Sequence, residues 1–128
     1  MSYYFSTQVD DSFDEAIERV TRLLGEHGFG VLTTIDVSGT LKKKIDADMP
    51  PYTILGACAP AYAYRALQAE NKIGTMLPCN VIVQQGEDGR VEVTAVDPIA
   101  SMQAIDNPAL GEIAREVQGK LKTVIESL

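Results

Sequence analysis

Tryptophan is absent from this 128-residue sequence, histidine occurs once and cysteine only twice. A single imidazole, His27, excludes a multi-histidine metal site within one chain, and two thiols cannot close a four-ligand site by themselves. No metal site within one chain is therefore expected, although a dimer could bring four thiolates together, and no other cofactor is expected. Positive charge is scarce: 11 Lys and Arg stand against 18 Asp and Glu, a net charge of −7. That balance argues against general nucleic-acid binding, which needs net or clustered positive charge to meet the phosphate backbone. No apolar run approaches the roughly 20 residues of a membrane span, so no membrane partnership is expected. The start, Met1-Ser2-Tyr3-Tyr4-Phe5, lacks the basic region and apolar core of a signal peptide. The expected location is the reducing cytoplasm, where Cys58 and Cys79 remain free thiols. There is no internal repeat, low-complexity segment or long interior linker, so residues 1–128 are read as one domain.

What is present is a regular succession of short apolar elements. Tyr3 to Val9 alternates with period two and reads as a strand. Ser12-Phe13-Asp14-Glu15 is a capping box, and the helix after it buries Phe13, Ala16, Ile17, Val20, Leu23 and Leu24. Gly25 or Gly28 supplies the left-handed stop. Phe29 to Ile35 reads as a mostly buried strand. Asp36 or Ser38 then caps a short helix through Ile45, on which Val37, Leu41 and Ile45 share a side and leave Lys42, Lys43 and Lys44 solvated. Asp46 and Asp48 fit the turn closed by Pro50-Pro51.

Tyr52 to Cys58 is a third strand, and Pro60 suits the first turn of a helix that runs to Glu70 with Ala59, Ala63, Ala66 and Leu67 inward. Asn80–Gln84 and Val91–Val96 form a hairpin across Gly86-Glu87-Asp88-Gly89-Arg90. Asp97-Pro98 opens a short helical turn to about Ala104. Asn107-Pro108 starts the last helix, with Leu110, Ile113, Ala114, Val117, Leu121, Val124 and Leu128 on one face. Two one-sided helices need a shared apolar sheet face to cover. The expected fold is thus a two-layer α+β domain with helices on one face of a five-stranded, mixed or antiparallel sheet. The other face stays open, and side chains such as Tyr3, Phe5 and Val93 upon it would invite dimerisation.

Chemistry can sit where the two cysteine segments meet. Cys58 ends a strand just before the helix start at Pro60, where the helix dipole favours a thiolate; the alternative is a buried core thiol. Cys79 lies between Pro78 and Asn80 at a strand entrance, and the twenty residues between the cysteines can bring their strands side by side or one apart. The Asn80 amide can orient a ligand or stitch a loop to its strand. His27 sits at a helix C-terminus, where a cation is favourable. The glycines of Gly25-Glu26-His27-Gly28-Phe29-Gly30 follow a helix and precede a strand, the reverse of a dinucleotide fingerprint.

Thr40-Leu41-Lys42-Lys43-Lys44, Pro51-Tyr52, Ile54-Leu55-Gly56-Ala57-Cys58 with Pro60, Leu77-Pro78-Cys79-Asn80-Val81 and Asp97-Pro98 together give the chain a family likeness. It resembles the DUF302 family of small bacterial and archaeal proteins over nearly its whole length. The resemblance implies a TATA-binding-protein-like β-α-β(4)-α fold, without DNA binding, and a homodimer. It assigns no function, although some members occur in bacteria with sulfur metabolism. Where the family usually carries Asn between the Cys and the Pro, this chain has Ala59, so any contact made by that amide is missing here. The expectation is a homodimeric small-ligand-binding or accessory module with a pocket near Cys58, Pro60, Pro78, Cys79 and Asn80. The alternatives are a thiol-dependent redox enzyme or sulfur carrier that uses Cys58, Cys79 or both, and a purely structural dimer.

Overall fold

Ser12 opens the first helix by reciprocal capping. In the computed structural model, which describes residues 2–128, the Ser12 hydroxyl accepts from the Glu15 N–H at 3.3 Å and the Glu15 carboxylate accepts from the Ser12 N–H at 3.1 Å. Two otherwise orphaned donors are satisfied in this way. The helix, α1 (Phe13–Glu26), buries Ala16, Val20 and Leu24, with Phe13, Ile17 and Leu23 partly covered beside them. Gly28, at φ +87°, turns the chain out of it. A side chain would be strained in that left-handed conformation.

Five strands follow one another into a single sheet: β1 (Tyr4–Val9), β2 (Gly30–Asp36), β3 (Tyr52–Cys58), β4 (Cys79–Gln85) and β5 (Val91–Val96). Their order is β1-β5-β4-β3-β2, and every neighbouring pair is antiparallel. The remaining helices are α2 (Val37–Ile45), α3 (Pro60–Ala69), the four-residue α4 (Pro98–Ser101) and the long α5 (Pro108–Glu126). Helices α1 and α5 pack on one face of the sheet, and α3 packs against α5. The core lies between these layers. Leu55, Val81, Val83, Val93 and Ala95 from the sheet meet Val20, Leu24, Leu110, Leu121 and Val124 from the helices. Each such fully buried Val or Leu side chain contributes roughly 1.5–3 kcal/mol through removal from water. The result is the expected two-layer α+β domain, with a sheet that is antiparallel throughout.

Strand alternation places side chains differently from expectation at three points. Phe5 and Val93 belong to the covered face: their strands pair Phe5 with Ala95 and Thr7 with Val93, and Val93 and Ala95 are fully buried. The open face instead carries Tyr4, Ser6 and Gln8 from β1 and Glu92, Thr94 and Val96 from β5. Ser6 and Thr94 face each other there through a 2.8 Å hydroxyl–hydroxyl hydrogen bond, and the Gln84 amide donates to Glu92 at 3.2 Å. Strand β2, read as mostly buried, is an edge strand. Phe29 just before it is buried, but Leu32 and Ile35 are 67% and 48% exposed. A pairing irregularity between Val31 and Thr33 accompanies this exposure. A continuous apolar run gave no sign that nothing would pair with its outer side.

Helix α2 shows which of its two possible caps acts. The Asp36 carboxylate accepts from the Gly39 N–H at 2.9 Å, whereas the Ser38 hydroxyl accepts from the Tyr52 N–H at 3.1 Å and ties α2 to β3. No residue of α2 is buried, and Ile45 is 70% exposed. The Lys42 ammonium donates to Asp46 and Asp48 at 2.8 and 2.9 Å, an exposed arrangement that water and salt screen.

Candidate functional site

The antiparallel pairing of β3 with β4 puts the end of one beside the start of the other. Ala57 stands opposite Cys79, so Cys58 and Cys79 reach the same end of the sheet on adjacent strands. The twenty-residue connection is filled by α3, a single 3₁₀ turn at Ile73–Met76 and a cis Leu77–Pro78 peptide bond. Gly56 is required where this connection folds back. A Cβ there would overlap the Thr33 hydroxyl and lie 2.8 Å from Pro78 Cγ.

Between this end of the sheet and the helical layer lies a cavity of about 320 Å³. Its floor is Ala57, Cys58 and Cys79. Helix α3 supplies Tyr62, Ala63, Ala66 and Leu67, and α5 supplies Ile113 and Val117. Leu77, Pro78 and Met102 close one side, with Leu32 and Thr33 at another. No lining residue is formally charged, while both thiols and the Met102 thioether are part of the wall. Small side chains create the space. Ala63 and Ala66 were expected to let α3 lie close upon the sheet; Ala66 is buried, but Ala63 is only partly covered and Leu67 is 43% exposed at the cavity wall. The volume falls near the lower end of the roughly 300–1,000 Å³ typical of small-molecule sites.

The sequence-predicted residues divide into three groups. Cys58, Pro78 and Cys79 line this cavity. Pro60 lines a second one, of about 400 Å³, together with His27, Gly28, Ala59, Ala61, Tyr62 and Lys120. Asn80 lines neither: it is exposed and alternates with Cys79 to the open face, in register with Gly56. Sequence reasoning missed Tyr62, Met102, Ile113 and Val117 as wall residues. Ile113 and Val117 have the spacing of ordinary core positions on α5, so periodicity alone could not set them apart from Leu121.

Burial governs the chemistry of Cys79. It pushes the thiol up to about 11 from its ordinary 9.0, and the nearby Cys58 sulfur adds to the rise. At neutral pH Cys79 is therefore a protonated, weakly nucleophilic thiol. The raised value also sets a pH dependence. An unfolded chain releases this proton near pH 9, whereas the folded chain holds it to about pH 11. The associated stability is fully present below pH 9 and is lost as pH rises through 11. Between pH 7 and pH 10.5 the urea unfolding free energy should fall by an amount on the order of 2 kcal/mol greater in the native protein than in Cys79→Ala. An equal drop in both proteins would show that Cys79 does not resist ionisation. Among the described residues no group of three or more His, Cys, Asp or Glu side chains is placed to hold a metal ion. Nor, among them, is any helix long and apolar enough to cross a membrane.

The sequence pattern of a family described as a domain of unknown function, DUF302, matches residues 5–128. The chain belongs to the DUF302 family. A solved DUF302 structure, the crystal structure of an uncharacterized conserved protein from Bacillus stearothermophilus, is similar at 30% sequence identity and a TM-score of 0.91. The similarity covers 98% of each chain. No curated protein matches. Membership in DUF302 thus accounts for the fold and leaves the chemistry to be read from the cavity.

Proposed function

We propose that this DUF302 protein is a binding module that takes the apolar body of a small molecule into the cavity floored by Ala57, Cys58 and Cys79. The observation that carries this reading is the wall itself: a space of about 320 Å³, at a sheet end where two chain segments converge, with no formally charged side chain in its lining. Such a wall gains from displacing water by an apolar group, since few of its atoms can hydrogen-bond to water. Calorimetric titration with 1-octanol tests it. Saturable binding at one site per chain supports the reading, and the absence of heat at several temperatures counts against it.

A second reading, a thiol-dependent redox enzyme or sulfur carrier, draws support from the presence of Cys58 and Cys79 in one wall. The raised value of the Cys79 thiol weighs against Cys79 as its nucleophile and leaves Cys58 as the group to label.

The open sheet face supports self-association of this module as a homodimer. Its strand residues include Tyr4, Ile35, Ile54, Ile82 and Val96, and Glu92 is the only formally charged one. A chain of net charge −7 that keeps one broad surface almost free of charge has a patch that a second copy can cover without pairing like charges. Sedimentation equilibrium should return twice the 13.9 kDa chain mass for the native protein and a single chain mass for Ile82→Lys. A native monomer at every concentration would remove this part of the reading.

A further inference from the structure

The two cavities adjoin one another. They share Ala59 and Tyr62 as common walls, at the start of α3. Across that shared wall the chemistry changes. The first cavity has no formal charge in its lining, while the second contains Lys120 and His27 and no carboxylate. This is notable in a chain with 18 acidic against 11 basic residues. Among the described residues Lys120 makes no ion pair, although it is half-buried. His27 Nδ1 lies 2.9 Å from the Leu23 carbonyl oxygen. A carbonyl only accepts, so Nδ1 carries the proton in this bond. The local backbone adds to the same polarity. Ala59 gives α3 no side-chain cap, and the N–H groups of Ala61 and Tyr62, both at this cavity, have no partner within the helix.

We infer that the ligand is an amphipathic carboxylic acid, its hydrocarbon body in the first cavity and its carboxylate in the second, paired with Lys120. This rests on the reading of the first cavity as an apolar binding site. What carries it is the juxtaposition of an uncharged cavity and a cationic one across the shared wall of Ala59 and Tyr62. A monoanion fits better than a phosphate dianion, because Lys120 is the only lysine or arginine in the lining of that cavity. Leaving a second negative charge unpaired would be unfavourable in a chain of net charge −7.

The test is a matched pair of eight-carbon probes, octanoate and 1-octanol, titrated by calorimetry at pH 7 into the native protein and into Lys120→Gln and Lys120→Arg. Octanoate is the better hydrated of the two, so a purely apolar site would favour the alcohol. The expected result is octanoate binding about tenfold more tightly than octanol to the native protein. That preference should shrink at high salt, vanish in Lys120→Gln and return in part in Lys120→Arg, with octanol affinity unchanged throughout. Octanol binding with octanoate no tighter would overturn the carboxylate inference and leave the apolar site standing. Loss of octanol binding in Lys120→Gln would also overturn it, since Lys120 would then support the fold and not the head group. Binding of neither probe would overturn both readings.

Discussion

Leu121→Ala should lower the unfolding free energy by about 3 kcal/mol, whereas Ile45→Ala should change it by less than about 0.5 kcal/mol. Both are apolar residues at helical spacing in the sequence, and the large difference between them comes from what lies opposite. Leu121 is completely buried on α5, among side chains of the main core. Truncating it removes favourable transfer energy and leaves a void that the rigid sheet beneath cannot fill. Ile45 ends α2 with 70% of its surface in water, on a helix that buries nothing. Urea denaturation of the three proteins at pH 7 measures both quantities. Comparable losses would mean that α2 is held in a layer the structure does not contain.

The second large effect concerns binding. Ala63→Phe should reduce the affinity for 1-octanol at least about 100-fold while leaving the urea midpoint nearly unchanged. Ala63 lies in the wall of the apolar cavity on α3 and is only partly covered, so a ring added there has empty space to enter. Filling a void with an apolar group is mildly stabilising or neutral when no neighbour must move. The same substitution at Ala66, which is 2% exposed and packed in the core, would instead force side chains apart. A loss of binding accompanied by an equally large loss of stability would show that the space at Ala63 is not free. Retained binding would place the ligand elsewhere.

Much of the fold could be read from the residues because local chemistry and long-range packing agree over most of the chain. The Ser12–Glu15 capping box, the Asn107-Pro108 helix start and the Val91–Val96 strand all stand where sequence pattern sets them. Agreement fails where burial depends on a neighbour that the pattern does not name. Val93 faces the helices through the pairing of β5 with β4, and Phe5 through the pairing of β1 with β5; shifting β1 by one residue would turn Phe5 to the open side. Strand β2 is as apolar as a central strand, yet its place at the sheet edge leaves Leu32 in water.

The candidate site was legible only in part, for the same reason. The two cysteine segments do converge, because antiparallel pairing brings the end of β3 to the start of β4. Strand alternation then separates neighbours that the sequence joins: Cys79 turns inward to the cavity and Asn80 turns to the open face. Pro60 is carried round the start of α3 to the second cavity. The helix α5 residues that complete the wall, Ile113 and Val117, come from some fifty residues further along the chain than α3. Nothing in their own spacing marks them, since a cavity is a property of what two helices leave unfilled.

The most direct test of the binding role is to follow the methyl groups of the protein by NMR as 1-octanol is added. The expected result is a saturable change centred on the methyl groups of the wall residues Leu32, Leu67, Leu77, Met102, Ile113 and Val117. Ile54 and Ile82 on the open face should stay unmoved. Changes centred on Ile54 and Ile82, or none at any concentration the alcohol can reach, would contradict the account and return the cavity to the status of a packing defect.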